Sequence, residues 1–141
     1  EVTPALEDVV EATIYLSGLG FENGGLAAAH AVNDGFAQEP QAHGMYHGEK
    51  VAFGTLVQLV LEKAPQEELE QVLAFLRDTG LPLTLAQLGV KEIVPETLKK
   101  VAEAAVVPTQ STKNLRADIT AQEVYDAILE ADRIGRDYLA R

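Results

Sequence analysis

Cysteine is absent from the chain. Without a thiol there is no disulfide, no iron–sulfur cluster and no thiolate zinc site, so any metal must be held by imidazole nitrogen and carboxylate oxygen. The same lack fits a reducing compartment, and a cytoplasmic protein is expected. Positive charge is scarce: 11 Lys and Arg stand against 22 Asp and Glu, a net charge of −11. Such a surface repels polyanions, so neither nucleic acid nor an anionic membrane is an expected partner. Long apolar runs are missing too. The greasiest window, VAFGTLVQLVL from Val51 to Leu61, is too short to span a bilayer and is interrupted by Thr55 and Gln58. No secretory apolar stretch opens the chain, so no leader is expected. Clean alternation of apolar and polar residues, repeats and low-complexity tracts are also lacking.

Helical periodicity is what remains. The 141 residues are the size of one ordinary domain, and with 47% apolar residues they can bury one core. Thr3 reads as an N-cap with Pro4 at the first helical position, followed by Leu6, Val9, Val10, Thr13 and Leu16 at helical spacing. Gly18 and Gly20 are expected to end that helix. A second helix is expected from about Gly24 to Gly35, and a break at QEPQAHG follows. A third, from about Gly48 to Lys63, is apolar nearly all round and should be central. A fourth starts after Pro65, with Leu69, Val72, Leu73 and Leu76 on one face, and stops at Gly80. TLAQLG should be a short turn capped by Thr84. PETLKKVAEAAV is helical with Leu98, Val101, Ala102 and Ala105 inward. The last helix opens on a Thr120–Glu123 capping box, with Val124, Ile128, Ala131, Gly135 and Tyr138 in one stripe. The fold class is all-α: a multi-helix bundle of six or seven helices over residues 1–141.

The run GLGFENGG has the glycines of a phosphate-binding loop but neither a preceding strand nor a following Lys-Ser or Lys-Thr. A helix–helix turn needing positive φ is the expected role. The three histidines, His30, His43 and His47, are the chemically informative residues. His30 and His47 would lie about 100° apart on a single helix. The break between them lets two short helices bring both rings to one point, and Ala29, Ala31 and Gly48 leave room beside them. A shared metal site and two core histidines are both open readings. His43 reads as a loop histidine or one that orients a ligand. Asp34, Glu22 and Glu49 are the available carboxylates for a third ligand, and none has persuasive spacing; Asp34 fits better as a helix C-terminal acid.

SGLGFENGGLAAAHAVNDGF followed by HGMYHGEKVAFGTLVQLVLE closely resembles the glycerol dehydrogenases, the zinc-dependent branch of the iron-containing alcohol dehydrogenase superfamily that also holds dehydroquinate synthase. The resemblance covers essentially the whole chain and is densest from Ser17 to Leu61. It implies the helical C-terminal domain of that fold, with the N-terminal NAD-binding α/β domain outside this chain. It also implies zinc held by His30 and His47, with an aspartate outside the chain as third ligand, and Phe21 lining a polyol pocket. Phe21 has an equally good reading as a core phenylalanine. The implied reaction is oxidation of glycerol to dihydroxyacetone, with zinc as Lewis acid and NAD as hydride acceptor. No catalytic side chain and no NAD contact is assigned within the chain. A homo-oligomer is implied. The isolated chain is expected to be inactive and to self-associate through an exposed GLAAAHAV patch. The competing readings are a stand-alone helical interaction module with structural histidines, and another superfamily enzyme acting on dehydroquinate-type or phosphorylated substrates. Lys50 is the one cation beside the histidines, which argues against a phosphate ester.

Overall fold

The structure, a computed structural model, describes residues 2–141. Among them there is no strand, and the α-helices run in the order α1 Pro4–Glu11, α2 Ser17–Gly24, α3 Ala28–Gly35, α4 His47–Glu62, α5 Gln66–Thr79, α6 Pro95–Ala105 and α7 Ala121–Leu139. The all-α expectation holds. Its helix limits hold best where capping chemistry is explicit. Thr3 Oγ1 accepts from the Leu6 N–H, and Thr120 and Glu123 exchange the two bonds of a capping box. Thr84 Oγ1 accepts from the Gln87 N–H in the turn before α6.

α4 is the central helix, packed against α3, α5 and α7, while α3 and α7 also pack on α6. Phe53, Leu56 and Val57 of α4 meet Val32 and Phe36 from the α3 side, with Leu98, Val101 and Ile128 from α6 and α7. The Phe36 and Phe53 rings meet edge to face at 6.1 Å. Leu83, Leu85 and Leu88, in the loop between α5 and α6, are equally buried.

The first helix departs from expectation. Gly18 and Gly20 do not end it; they lie inside α2, which continues α1 through a π-helical segment, Ala12–Leu16. A glycine inside a helix costs only about 1 kcal/mol relative to alanine, which a helix can carry. The turn comes at Gly25, whose φ of +69° suits glycine and few other residues. α3 accordingly starts at Ala28 rather than at Gly24. No residue of α1, the π segment or α2 is buried. Val9 is 61% and Ile14 75% exposed, so a whole apolar stripe meets no partner within the described residues.

This relocates the expected sticky surface. Ala28, Ala31 and Val32 of GLAAAHAV are fully buried, because α3 is wedged against α4 and α6. The exposed apolar face belongs to α1 and α2 instead.

Candidate metal centre

His30 lies in the first turn of α3 and His47 is the first residue of α4. The connection between them is two 3-10 turns, Phe36–Gln38 and Pro40–Ala42, which reverse the chain in a few residues. The buried side chain of Glu39 helps fix that reversal, since its Oε1 accepts from the Gln41 N–H at 3.0 Å. Gln41 in turn reaches the next loop, where its Oε1 accepts from the Lys91 N–H and its Nε2 donates to the Glu92 carbonyl.

The reversal brings the His30 and His47 rings to a centroid separation of 5.5 Å with 49° between their planes. Zinc–nitrogen bonds of ~2.1 Å at a tetrahedral angle put two imidazole centres on the order of 5 Å apart. The pair therefore has the spacing and the donor chemistry of two imidazole ligands to one cation. His47 is exposed and His30 half-buried. Burial and the neighbouring His47 hold the His30 pKa below its ordinary value, while Asp34 one turn away pulls the other way. A neutral imidazole is the form that binds metal.

The other named residues lie as follows. His43 follows the second 3-10 turn and is not on a helix with His47; its Nε2 donates to the Ala37 carbonyl at 3.0 Å, bracing the reversal. Asp34 sits in the last turn of α3, exposed, and accepts from Asn33 Nδ2. Glu49 is occupied in capping α4, its Oε2 accepting from the Tyr46 N–H at 2.7 Å. Among the described residues no three His, Asp or Glu side chains gather to hold a metal. Phe21, on α2, is 55% exposed, which overturns its reading as a core residue. A cleft of ≈ 340 Å³ between α4 and α7, lined by Val60, Lys63, Glu123 and Asp126, contains neither histidine. Among the described residues no helix is long and apolar enough to cross a membrane.

Two groups at the site gave no clear signal in the sequence. Gln58 of α4 accepts from the Ala29 N–H, immediately before His30, at 3.0 Å. Gly54 of α4 lies so near the Ala29 carbonyl that a Cβ there would be 2.4 Å from its oxygen.

No protein-family model matches the chain. Similarity to individual proteins is extensive. The chain is 57% identical over 138 residues to a glycerol dehydrogenase of Escherichia coli O6:H1, covering 98% of this chain and 38% of that protein. It superposes on the crystal structure of a probable glycerol dehydrogenase from Sinorhizobium meliloti 1021 with a TM-score of 0.91 and 46% identity, over 96% of this chain and 39% of the other. Against the Schizosaccharomyces pombe glycerol dehydrogenase structure the TM-score is 0.92 at 42% identity, over 97% and 35%. The chain thus spans well under half the length of the proteins it matches.

Proposed function

We propose, for a chain that belongs to the glycerol dehydrogenase family, that it is the metal- and polyol-binding part of an enzyme oxidising glycerol to dihydroxyacetone with NAD. The observation that carries the reading is the meeting of the His30 and His47 rings at 5.5 Å in a chain of this descent. His30 and His47 would hold the cation, with an aspartate from the rest of the polypeptide as third protein ligand. Zinc is the cation the donor set favours over softer alternatives, since imidazole and carboxylate suit it and no thiolate is present. A bound zinc supplies Lewis acidity toward a substrate hydroxyl.

Imidazole ligands bring no negative charge to the ion, so of the three proposed protein ligands only the aspartate would offset its Lewis acidity. The half-burial of His30 favours its neutral, metal-binding form. The exposed Phe21 ring supplies an apolar wall for the carbon face of a polyol. NAD belongs to an α/β domain that precedes this one in the full polypeptide, so the chain alone has no dehydrogenase activity. The cytoplasmic location expected from composition and a homo-oligomeric assembly are part of the same reading.

The test is NAD-coupled oxidation of a polyol panel by the full polypeptide, with and without a chelator. Glycerol turnover that disappears with chelation and returns with zinc is expected. Glycerol turnover indifferent to chelation, or unchanged in His30→Ala and His47→Ala, would overturn the metal reading. A panel in which glycerol is no substrate would overturn the polyol assignment.

A further inference from the structure

We propose that Gln58 is a positioning residue that sets His30 against His47, acting with the close contact at Gly54; the inference rests on the metal-binding reading above. At about 100° per residue, Gly54 and Gln58 each lie within roughly 20° of the direction His47 takes from α4. One stripe of α4 therefore carries a ligand, a close approach and a hydrogen-bonding amide, and that stripe faces α3.

α3 begins without a side-chain cap, because its N-cap residue is Ala27. Its first-turn N–H groups need acceptors from elsewhere. Gln58 Oε1 accepts from the Ala29 N–H at 3.0 Å, doing from across the interface what a serine or aspartate N-cap does locally. Gln58 Nε2 donates to Glu62 Oε1 at 2.8 Å. Those two partners fix the amide's orientation: the Ala29 N–H can only donate and the Glu62 carboxylate can only accept. Ser111 Oγ and Asn114 Nδ2 hold the Ala27 and Leu26 carbonyls at 2.7 and 2.8 Å, but both come from the 3-10 turn before α7. Gln58 alone of these three joins the entry of α3 to the helix bearing His47. A local cap at position 27 would satisfy α3 equally well but would make no hydrogen bond between α3 and α4. With Gln58, the backbone one residue before His30 is registered against α4, and Gly54 lets the two backbones close at that point.

The test is Co²⁺ titration of the full polypeptide, read as dissociation constant and as the d–d absorption of the bound ion. Variants are Gln58→Leu, which removes the acceptor, the charge-conserving swap Gln58→Glu with Glu62→Gln, which keeps an acceptor for the Ala29 N–H and a donor–acceptor pair between positions 58 and 62, and Gly54→Ala, with circular dichroism as a check on folding. Gln58→Leu and Gly54→Ala are expected to weaken Co²⁺ by about 10- to 100-fold, as loss of residues that orient a ligand does, and to alter the d–d band. The Gln58→Glu/Glu62→Gln swap should keep the wild-type band and most of the affinity. Wild-type affinity and spectrum in folded Gln58→Leu would overturn the proposal, as would equal losses in Gln58→Leu and in the swap. A His30→Ala protein that binds Co²⁺ as the wild type does would instead overturn the metal reading itself.

Discussion

His30 and His47 face each other at 5.5 Å although they belong to different helices joined by a reversal of the chain. Neither ring has a salt-bridge partner among the described residues, and the close neighbour that depresses the His30 pKa, after burial, is the other imidazole. Two cationic rings at that distance would repel, so the geometry disfavours charging both at once.

Removing either ring should separate binding from folding. His47 is exposed at the start of α4, so His47→Ala is expected to change unfolding stability by no more than about 0.5 kcal/mol, as surface substitutions do. Zinc affinity of the full polypeptide should fall by more than ~100-fold, beyond the loss typical of residues that only orient a ligand. Isothermal titration with zinc and urea denaturation of the same variant check both halves. Retained zinc affinity would show that the pair is not the ligand set.

The His30 ring offers a prediction in pH. Its folded pKa is lowered from 6.5, chiefly by burial and then by His47. A histidine with a depressed folded pKa stabilises the fold through its neutral form. That contribution is complete above the unfolded value of about 6.5 and is lost as pH falls, because the unfolded chain takes up the proton first. NMR of the ring proton should give a midpoint below 6.5. His47→Ala should raise it and Asp34→Asn should lower it further, following the signs of the two charges. A midpoint above 6.5 in the wild-type chain would contradict the described environment.

The apolar stripe that runs from α1 through the π-helical segment should make the isolated chain self-associate. Val9, Val10 and Ile14 all project into solvent, and a contiguous apolar face of that kind seeks cover. Sedimentation velocity is expected to show dimers or larger species, and Val9→Asp combined with Ile14→Asp should return the chain to monomer. A strict monomer at high concentration would count against it. Association unchanged by the double variant would put the contact elsewhere.

How far the sequence could be read follows from what kind of signal each feature leaves. α4 to α7 announce themselves through period and caps, and their inward residues, such as Leu73, Val101 and Ile128, are the ones buried. The histidine pair was legible as two rings on either side of a break. The end of the first helix was not, because Gly18, Gly20, Gly24 and Gly25 look alike in sequence, and only the tertiary fold selects Gly25 for positive φ. The burial of Ala28, Ala31 and Val32 in GLAAAHAV leaves no clear sequence signal for a related reason: small side chains permit close packing as readily as they suggest an open face. Gln58 read as a flaw in an apolar run. Its spacing of eleven residues from His47, which returns it to nearly the same face, was the available clue.

The support behind the site can be tested through Asp132. This buried aspartate of α7 accepts from the Leu85 N–H at 2.8 Å through Oδ1 and pairs with Arg136 at 2.9 Å through Oδ2. It ties the loop that buries Leu83, Leu85 and Leu88 to α7, and α7 packs on α4, the helix that presents His47. Arg136 is 62% exposed, so the ion pair is screened and contributes little. The bond to Leu85 is the valuable one, since without it a buried N–H has no partner. Asp132→Ala should therefore cost about 1–3 kcal/mol in unfolding free energy. Asp132→Asn keeps a carbonyl oxygen for Leu85 and loses only the screened pair, so its cost should stay below about 1 kcal/mol. Urea denaturation of both variants decides the matter: equal losses would mean that the charge, rather than the acceptor for Leu85, holds α7 to the loop.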